Sequence, residues 1–222
     1  MKYSNMKTKL LLFSLLTSTL IFSQINEDKL RKYYLIDKLN DTSLVYGKIL
    51  SNENLSGGFA MFDKNGNRVH EKVNPDSFKY LLFSNSDGKT TMLKSLPFKK
   101  EPIFLFYDSE NVFMSILIEN TEEELKKGKV DFYIHEFTAG SPSSFGPNGF
   151  SGYMPVDIQI YYFKDLNGLH QIKNRSQFKS FPEILGVELY KKMKNSDKEQ
   201  KDFLLDYFTA YNNSVVKLNP KQ

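Results

Sequence analysis

The residue types that most often carry chemistry are sparse in this chain of 222 residues. It has three histidines, His70, His135 and His170, and no cysteine. Each histidine falls on a different predicted strand, with no His-x-His and no HExxH spacing. A zinc centre needs ligands that converge on one point, and scattered histidines are the ordinary pattern of surface residues. His135 and Glu136 are sequence neighbours, so on a strand they face opposite ways and form no dyad. The missing cysteines exclude disulfide frameworks, zinc ribbons and thiol nucleophiles. There is no G-x-S-x-G elbow, and Ser141, Ser143 and Ser144 lack a strand-to-helix setting. No Walker loop or Rossmann fingerprint occurs, and Gly57-Gly58 alone reads as a turn. Two carboxylates brought together by the fold would suffice for glycoside hydrolysis, but nothing marks which two. The expectation is a protein with no catalytic group, no metal and no cofactor.

One stretch is poorly explained by packing. Thr138–Pro155 holds Gly140, Gly146, Gly149 and Gly152, with Pro142, Pro147 and Pro155 among them. It reads as a long loop, and loops of that length are often functional. Phe145, Phe150 and Tyr153 on it are the candidate binding residues, because rings are frequent anchors of interfaces. Docking of the same rings on the protein's own core, or disorder of the stretch, are the alternatives.

The surrounding pattern is β-rich. Tyr33–Ile36 and Leu44–Leu50 flank an Asn40-Asp41 turn. Phe59–Phe62 and Arg68–Val73 flank Asp63-Lys64-Asn65-Gly66-Asn67, and Asn-Gly is a strong signal for a tight hairpin. Phe78–Phe83 and Lys89–Leu93 repeat the device around Ser86-Asp87-Gly88. Ile103–Tyr107 and Val112–Ile118 are continuous apolar runs, as expected of strands buried on both faces. Val130–Glu136 and Val156–Phe163 alternate as half-buried strands, and Asp165-Leu166-Asn167-Gly168 turns the chain into Leu169–Lys173. Thr121–Glu124 reads as a capping box opening a short helical turn that stops at Gly128.

The last fifty or so residues change period. Ser180-x-x-Glu183 and Ser196-x-x-Glu199 predict two helix starts. Phe181, Leu185, Leu189 and Met193 would line the first helix; Phe203, Leu204, Tyr207, Phe208 and Tyr211 would line the second. The expected fold class is α+β. A mainly antiparallel body of about eight to ten strands, a sandwich or roll, precedes two C-terminal amphipathic helices at about 176–213.

The N-terminus is an address. Lys2, Lys7 and Lys9 precede an apolar run from Leu10 to Leu16 that continues through Leu20-Ile21-Phe22, and Ser23 is the expected cleavage residue. The run is short for a span of ~20 apolar residues. Residues 1–23 are thus expected to be a signal peptide, and 24–222 one domain with no transmembrane segment. The chain carries 30 Lys and Arg against 26 Asp and Glu, but three of those lysines lie in the first 23 residues. The mature chain is therefore almost neutral. Its only arginines are Arg31, Arg68 and Arg175, which disfavours nucleic acid as a partner.

Several motifs resemble a family of uncharacterised secreted proteins of Bacteroidetes, of flavobacterial type. That family opens with a G-Y-I-V-T-x-x-G-D-T-I-x-G-K-I hairpin. The corresponding residues here are Tyr33-Tyr34-Leu35-Ile36, Asn40-Asp41-Thr42 and Tyr46-Gly47-Lys48-Ile49, with Asn40 replacing the turn glycine and one residue inserted before the second strand. Phe62–Gly66, Val73–Phe78, Phe113–Asn120, Phe132–Ile134 and Tyr211-Asn212 match further short motifs. The resemblance implies an envelope location, a β-rich body with terminal helices and no established activity. It also implies an accessory role, since some relatives look fused to outer-membrane barrels.

The leading expectation is a non-enzymatic periplasmic module that binds an envelope or outer-membrane protein, as an accessory of an outer-membrane assembly or translocon. A glycan- or small-ligand-binding β-domain is the alternative, and a hydrolase of envelope polymers ranks third. The chain ends soon after the last predicted helix, which favours the periplasm, with an extracellular location as the alternative.

Overall fold

The structure is a computed structural model and describes residues 30–48, 58–85, 88–98, 109–145 and 150–218. Ten strands form one open antiparallel sheet: β1 (Leu30–Asp37), β2 (Thr42–Lys48), β3 (Ala60–Phe62), β4 (Arg68–Lys72), β5 (Phe78–Ser84), β6 (Thr90–Pro97), β7 (Asn111–Ile118), β8 (Asp131–Phe145), β9 (Phe150–Asp165) and β10 (Gly168–Ile172). Their order is β10-β9-β8-β7-β6-β5-β1-β2-β3-β4. The helices are α1 (Glu122–Lys126), α2 (Arg175–Ser180), α3 (Pro182–Leu185), α4 (Leu189–Lys194) and α5 (Gln200–Leu218). The fold class is α+β.

Local chemistry shapes the hairpins. In the β1–β2 turn the Asp37 carboxylate accepts from the N–H groups of Leu39 and Asp41, at 2.8 and 2.9 Å, while Asn40 takes a positive φ of 69°. The β3–β4 turn repeats this: Asp63 accepts from Asn65 and Asn67, and Gly66 supplies the positive φ. A carboxylate that closes its own turn is a strong reason for the chain to reverse there. Among these described strands only β1 and β5 are neighbours without being sequential. Their crossover runs through a 3-10 turn at Pro75–Ser77, where Asp76 accepts from the N–H groups of Glu110 and Asn111 at 3.0 and 2.6 Å. That carboxylate ties the crossover to the start of β7.

Register defines the faces. Leu35, Leu81, Leu93, Ser115, Ile134 and Tyr161 pair in one row across six strands, so they share a face. On this face Phe132, Ile134, Tyr161 and Phe163 meet Phe178, Leu185, Leu189, Met193, Leu204 and Phe208 of the helices. Further along, Tyr33, Leu35, Leu81, Phe83, Leu93 and Phe113 pack with Phe59 and Val73. The opposite face buries Val112, Met114, Tyr133, Phe137, Ile160 and Tyr162.

Val130 to His135 is therefore buried at every position, not half-buried as its alternation suggests. Helices cover one of its faces and a second apolar cluster the other. In β7, Val112 to Met114 are buried, but Ile116 and Leu117 are only partly so. The predicted strand Ile103–Tyr107, with Phe104 and Phe106, lies outside the described residues.

The C-terminal helices differ from the expected pair. The first predicted helix is three short ones. Phe181 leaves helical geometry at φ −126°, ψ 58°, as a residue before proline tends to. Gly186, at φ +64°, ends α3. Helix α2 opens on an Asn174–Gln177 capping box, while the Ser180 hydroxyl instead donates to the Ser176 carbonyl. The predicted apolar spacing survives these breaks, since Leu185, Leu189 and Met193 are all buried. Helix α5 begins at Gln200 and buries Leu204 and Phe208. Its Asn212 side chain reaches back to the sheet, accepting from the Val130 N–H and donating to the Val130 carbonyl, each at 2.9 Å.

Candidate functional site

The stretch expected as a loop is a paired ribbon. Strands β8 and β9 continue from Thr138↔Asp157 through Gly140↔Pro155 and Pro142↔Tyr153 to Phe145↔Phe150. Only 146–149, which include Gly146, Pro147 and Gly149, lie outside the described residues. Prolines are admitted because, among the described residues, each strand of the ribbon has one unpaired edge, and a proline can turn its missing N–H toward it. Among the described residues, Thr138–Phe145 pair with β9 alone. At ~3.3 Å per residue this ribbon is about 25 Å long. Phe145 and Phe150 are opposed at the last pair, and Tyr153 pairs three positions nearer the base from Phe150. The side chains of these three residues lie outside the described ones.

At its base the ribbon is fastened to the body. Phe137 is buried, the Thr138 hydroxyl donates to Asp157 at 2.9 Å, and Gln159 donates to Glu136 at 3.0 Å. Lys201 of α5 also approaches Glu136, at 3.9 Å.

His135 and His170 lie on opposite faces of the sheet. His135 is fully buried between the rings of Phe98 and Phe137, and burial lowers its pKa to about 4. His170 lies against Phe163 and Phe181, with Nε2 2.8 Å from the Asp165 carboxylate. Burial opposes the Asp165 charge, but hydrogen bonds from His170 and Asn167 outweigh it and hold its pKa below the usual value. His70 sits on β4, and its side chain lies outside the described ones. Among the described residues no three His, Asp or Glu side chains come together as a metal site would require.

A polar network that sequence reasoning missed lies on the face away from the helices. Lys94 pairs with Glu119, and Tyr80 donates to the same carboxylate at 3.3 Å. The Lys94 ammonium lies over the rings of Tyr80 and Tyr133, at 5.6 and 5.7 Å. Tyr133 donates to Asp131 at 2.9 Å, and Asp131 also accepts from the Asn120 N–H at 2.7 Å. Burial opposes the Lys94 charge, but Glu119, Tyr80 and Asp131 outweigh it and raise its pKa. Burial, helped by Asp131, raises the Tyr133 pKa strongly. Lys94 thus stays charged and Tyr133 stays protonated at neutral pH, so neither is in the deprotonated form that a general base or nucleophile uses. The network is a means of holding β6, β7 and β8 together around a charge. Its hydrogen-bonded partners are up to 39 positions apart, and no local spacing announces them.

Beside this network the sheet face is open. Leu44, Tyr34, Leu82 and Met92 pair in one row, with Leu44, Tyr34 and Met92 exposed to 46%, 43% and 38%. No protein-family model, curated protein or solved structure matches the chain. Among the described residues no helix is long and apolar enough to cross a membrane.

Proposed function

We propose that this protein is a non-enzymatic binding module of the bacterial envelope, exported to the periplasm and serving an outer-membrane assembly by docking a partner protein. The observation that carries the reading is the β8–β9 ribbon, which runs eight register pairs from Thr138↔Asp157 to Phe145↔Phe150 with no other strand paired to it among the described residues. A two-stranded ribbon is marginal in water on its own. Among the described residues no third strand lies on its outer edges, whose backbone groups are of the kind that accept a further strand. Phe145, Phe150 and Tyr153 supply apolar anchors on it. The resemblance to secreted Bacteroidetes proteins, and the basic-then-apolar N-terminus, support the envelope location.

The test compares wild type with the triple variant Phe145→Ser, Phe150→Ser, Tyr153→Ser in crosslinked native envelopes. The expected result is an unchanged melting temperature and loss of a partner that wild type retains. If the folded triple variant recovers every protein that wild type does, the ribbon is not the docking element. The mass of the exported protein tests the location, with a chain starting near Gln24 expected and one retaining Met1 ruling out a cleaved signal.

A further inference from the structure

At the edge of the sheet far from the ribbon is a groove of about 420 Å³, lined by Lys48, Gly58, Phe59, Ala60, Phe62, Arg68 and Lys72. Its volume lies within the ~300–1,000 Å³ typical of small-molecule sites. Register explains its composition. Lys32, Tyr46, Phe62 and Arg68 pair in one row, and Ala60↔Lys72 is a neighbouring pair. The positions that share this face on β1 to β4 include Lys32, Lys48, Arg68 and Lys72 and no Asp or Glu. The Lys48 ammonium lies 5.8 Å from the centre of the Phe62 ring. Among the described residues no carboxylate forms an ion pair with Lys48, Arg68 or Lys72, although six other lysines of the chain have one.

The backbone holds these cations together. Gly58 has a φ of +86°, and a Cβ there would come within 2.1 Å of the Val73 carbonyl oxygen. The Val73 N–H in turn donates to the Phe59 carbonyl at 3.0 Å. The entry to β3 is thus pressed against the exit of β4, and the Tyr46↔Phe62 pairing holds β2 on the other side of β3, so that Lys72 and Lys48 line one groove.

We propose that this groove binds a phosphomonoester, with the phosphate between Lys48, Arg68 and Lys72 and the remainder of the molecule against Phe62. Three cations without an ion-pair partner among the described residues suit a dianion better than a single carboxylate, and the arginine fork matches phosphate oxygens. Phe62, partly exposed under the Lys48 ammonium, gives an apolar floor for a sugar or other ring. The inference is independent of the ribbon.

The experiment uses the mature chain and isothermal titration calorimetry at low salt. Its probes are glucose 1-phosphate, glucose, and phosphatidylcholine vesicles with or without phosphatidic acid. Binding of glucose 1-phosphate but not glucose supports a soluble phosphomonoester. Binding confined to phosphatidic acid vesicles supports the same phosphate carried on a lipid. The variant Lys48→Gln, Arg68→Gln, Lys72→Gln should keep its melting temperature and lose about tenfold or more in affinity, the worth of one charge-assisted contact. The control Lys191→Gln, Lys192→Gln, Lys194→Gln on α4 should bind as wild type. Failure of both phosphate probes to bind overturns the proposal. So does an equal loss in the two triple variants, which would trace the effect to net charge.

Discussion

Replacing Asn212 by alanine tests how the last helix is fastened to the sheet. Asn212 is 6% exposed and Val130 is fully buried, so water cannot replace what the variant removes. Two hydrogen bonds are lost, one from the Val130 N–H to Oδ1 and one from Nδ2 to the Val130 carbonyl. Their consequences differ. The carbonyl also accepts from the Asn120 amide at 2.8 Å and keeps that partner. The N–H is left in the core without its acceptor. An orphaned buried donor costs about 1–3 kcal/mol, and the second, compensated bond adds about 0.5–1.5 kcal/mol, so the expected loss is about 1.5–4.5 kcal/mol. Urea unfolding followed by far-ultraviolet circular dichroism measures it, with the exposed neighbour Asn213→Ala as the control. The control should stay within about 0.5 kcal/mol of wild type, as surface substitutions do. A similarly small loss in Asn212→Ala would refute the docking of α5 through this amide.

Three further outcomes are expected. His135 is held neutral, with a pKa of about 4 against an ordinary 6.5. Above 6.5 it carries no penalty; as pH falls from 6.5 to about 4 the unfolded chain takes up a proton that the folded chain refuses, and stability declines. The full loss is about 3 kcal/mol, and His135→Phe should remove that part of the slope in unfolding curves from pH 7 to 4; an identical slope would show His135 to be solvated. Gly58→Ala should destabilise by about 2 kcal/mol or more, because it combines a left-handed φ with a clash against the Val73 carbonyl; a thermal melt within a degree of wild type would contradict the backbone path at the groove. Met114→Ala, at a fully buried position, should cost about 2–5 kcal/mol. Partly buried Leu117→Ala should cost less, and the reverse order in urea unfolding would mean the two faces of β7 are misassigned.

The turns were legible because their causes are local. Asp63 closes its loop on Asn65 and Asn67, and all the groups concerned lie within five consecutive residues. The Thr121–Glu124 capping box of α1 is equally short-range and forms as read. The spacing of Leu204, Phe208 and their neighbours marks one helical face in any context that offers a core. The Ser180 start failed for a reason also present in the sequence, namely that Pro182 biases Phe181 away from helix and so splits the segment. The ribbon was misread because glycine and proline report a departure from an interior strand, and an edge ribbon tolerates both.

Composition and short-range pattern determine, by themselves, that this chain reverses at Asn40-Asp41, Asp63–Asn67 and Asp165–Gly168, that its body is antiparallel, and that thiol chemistry is absent. Tertiary structure alone decides which strands become neighbours, that β5 crosses to lie beside β1, and hence which side chains meet. Lys94 and Glu119 are 25 positions apart, and Lys48 and Lys72 come from strands that are not even paired. A turn is settled by the energies of a few adjacent bonds. A groove or a buried charge network depends on burial and register summed over the whole sheet, and no window of sequence contains that sum.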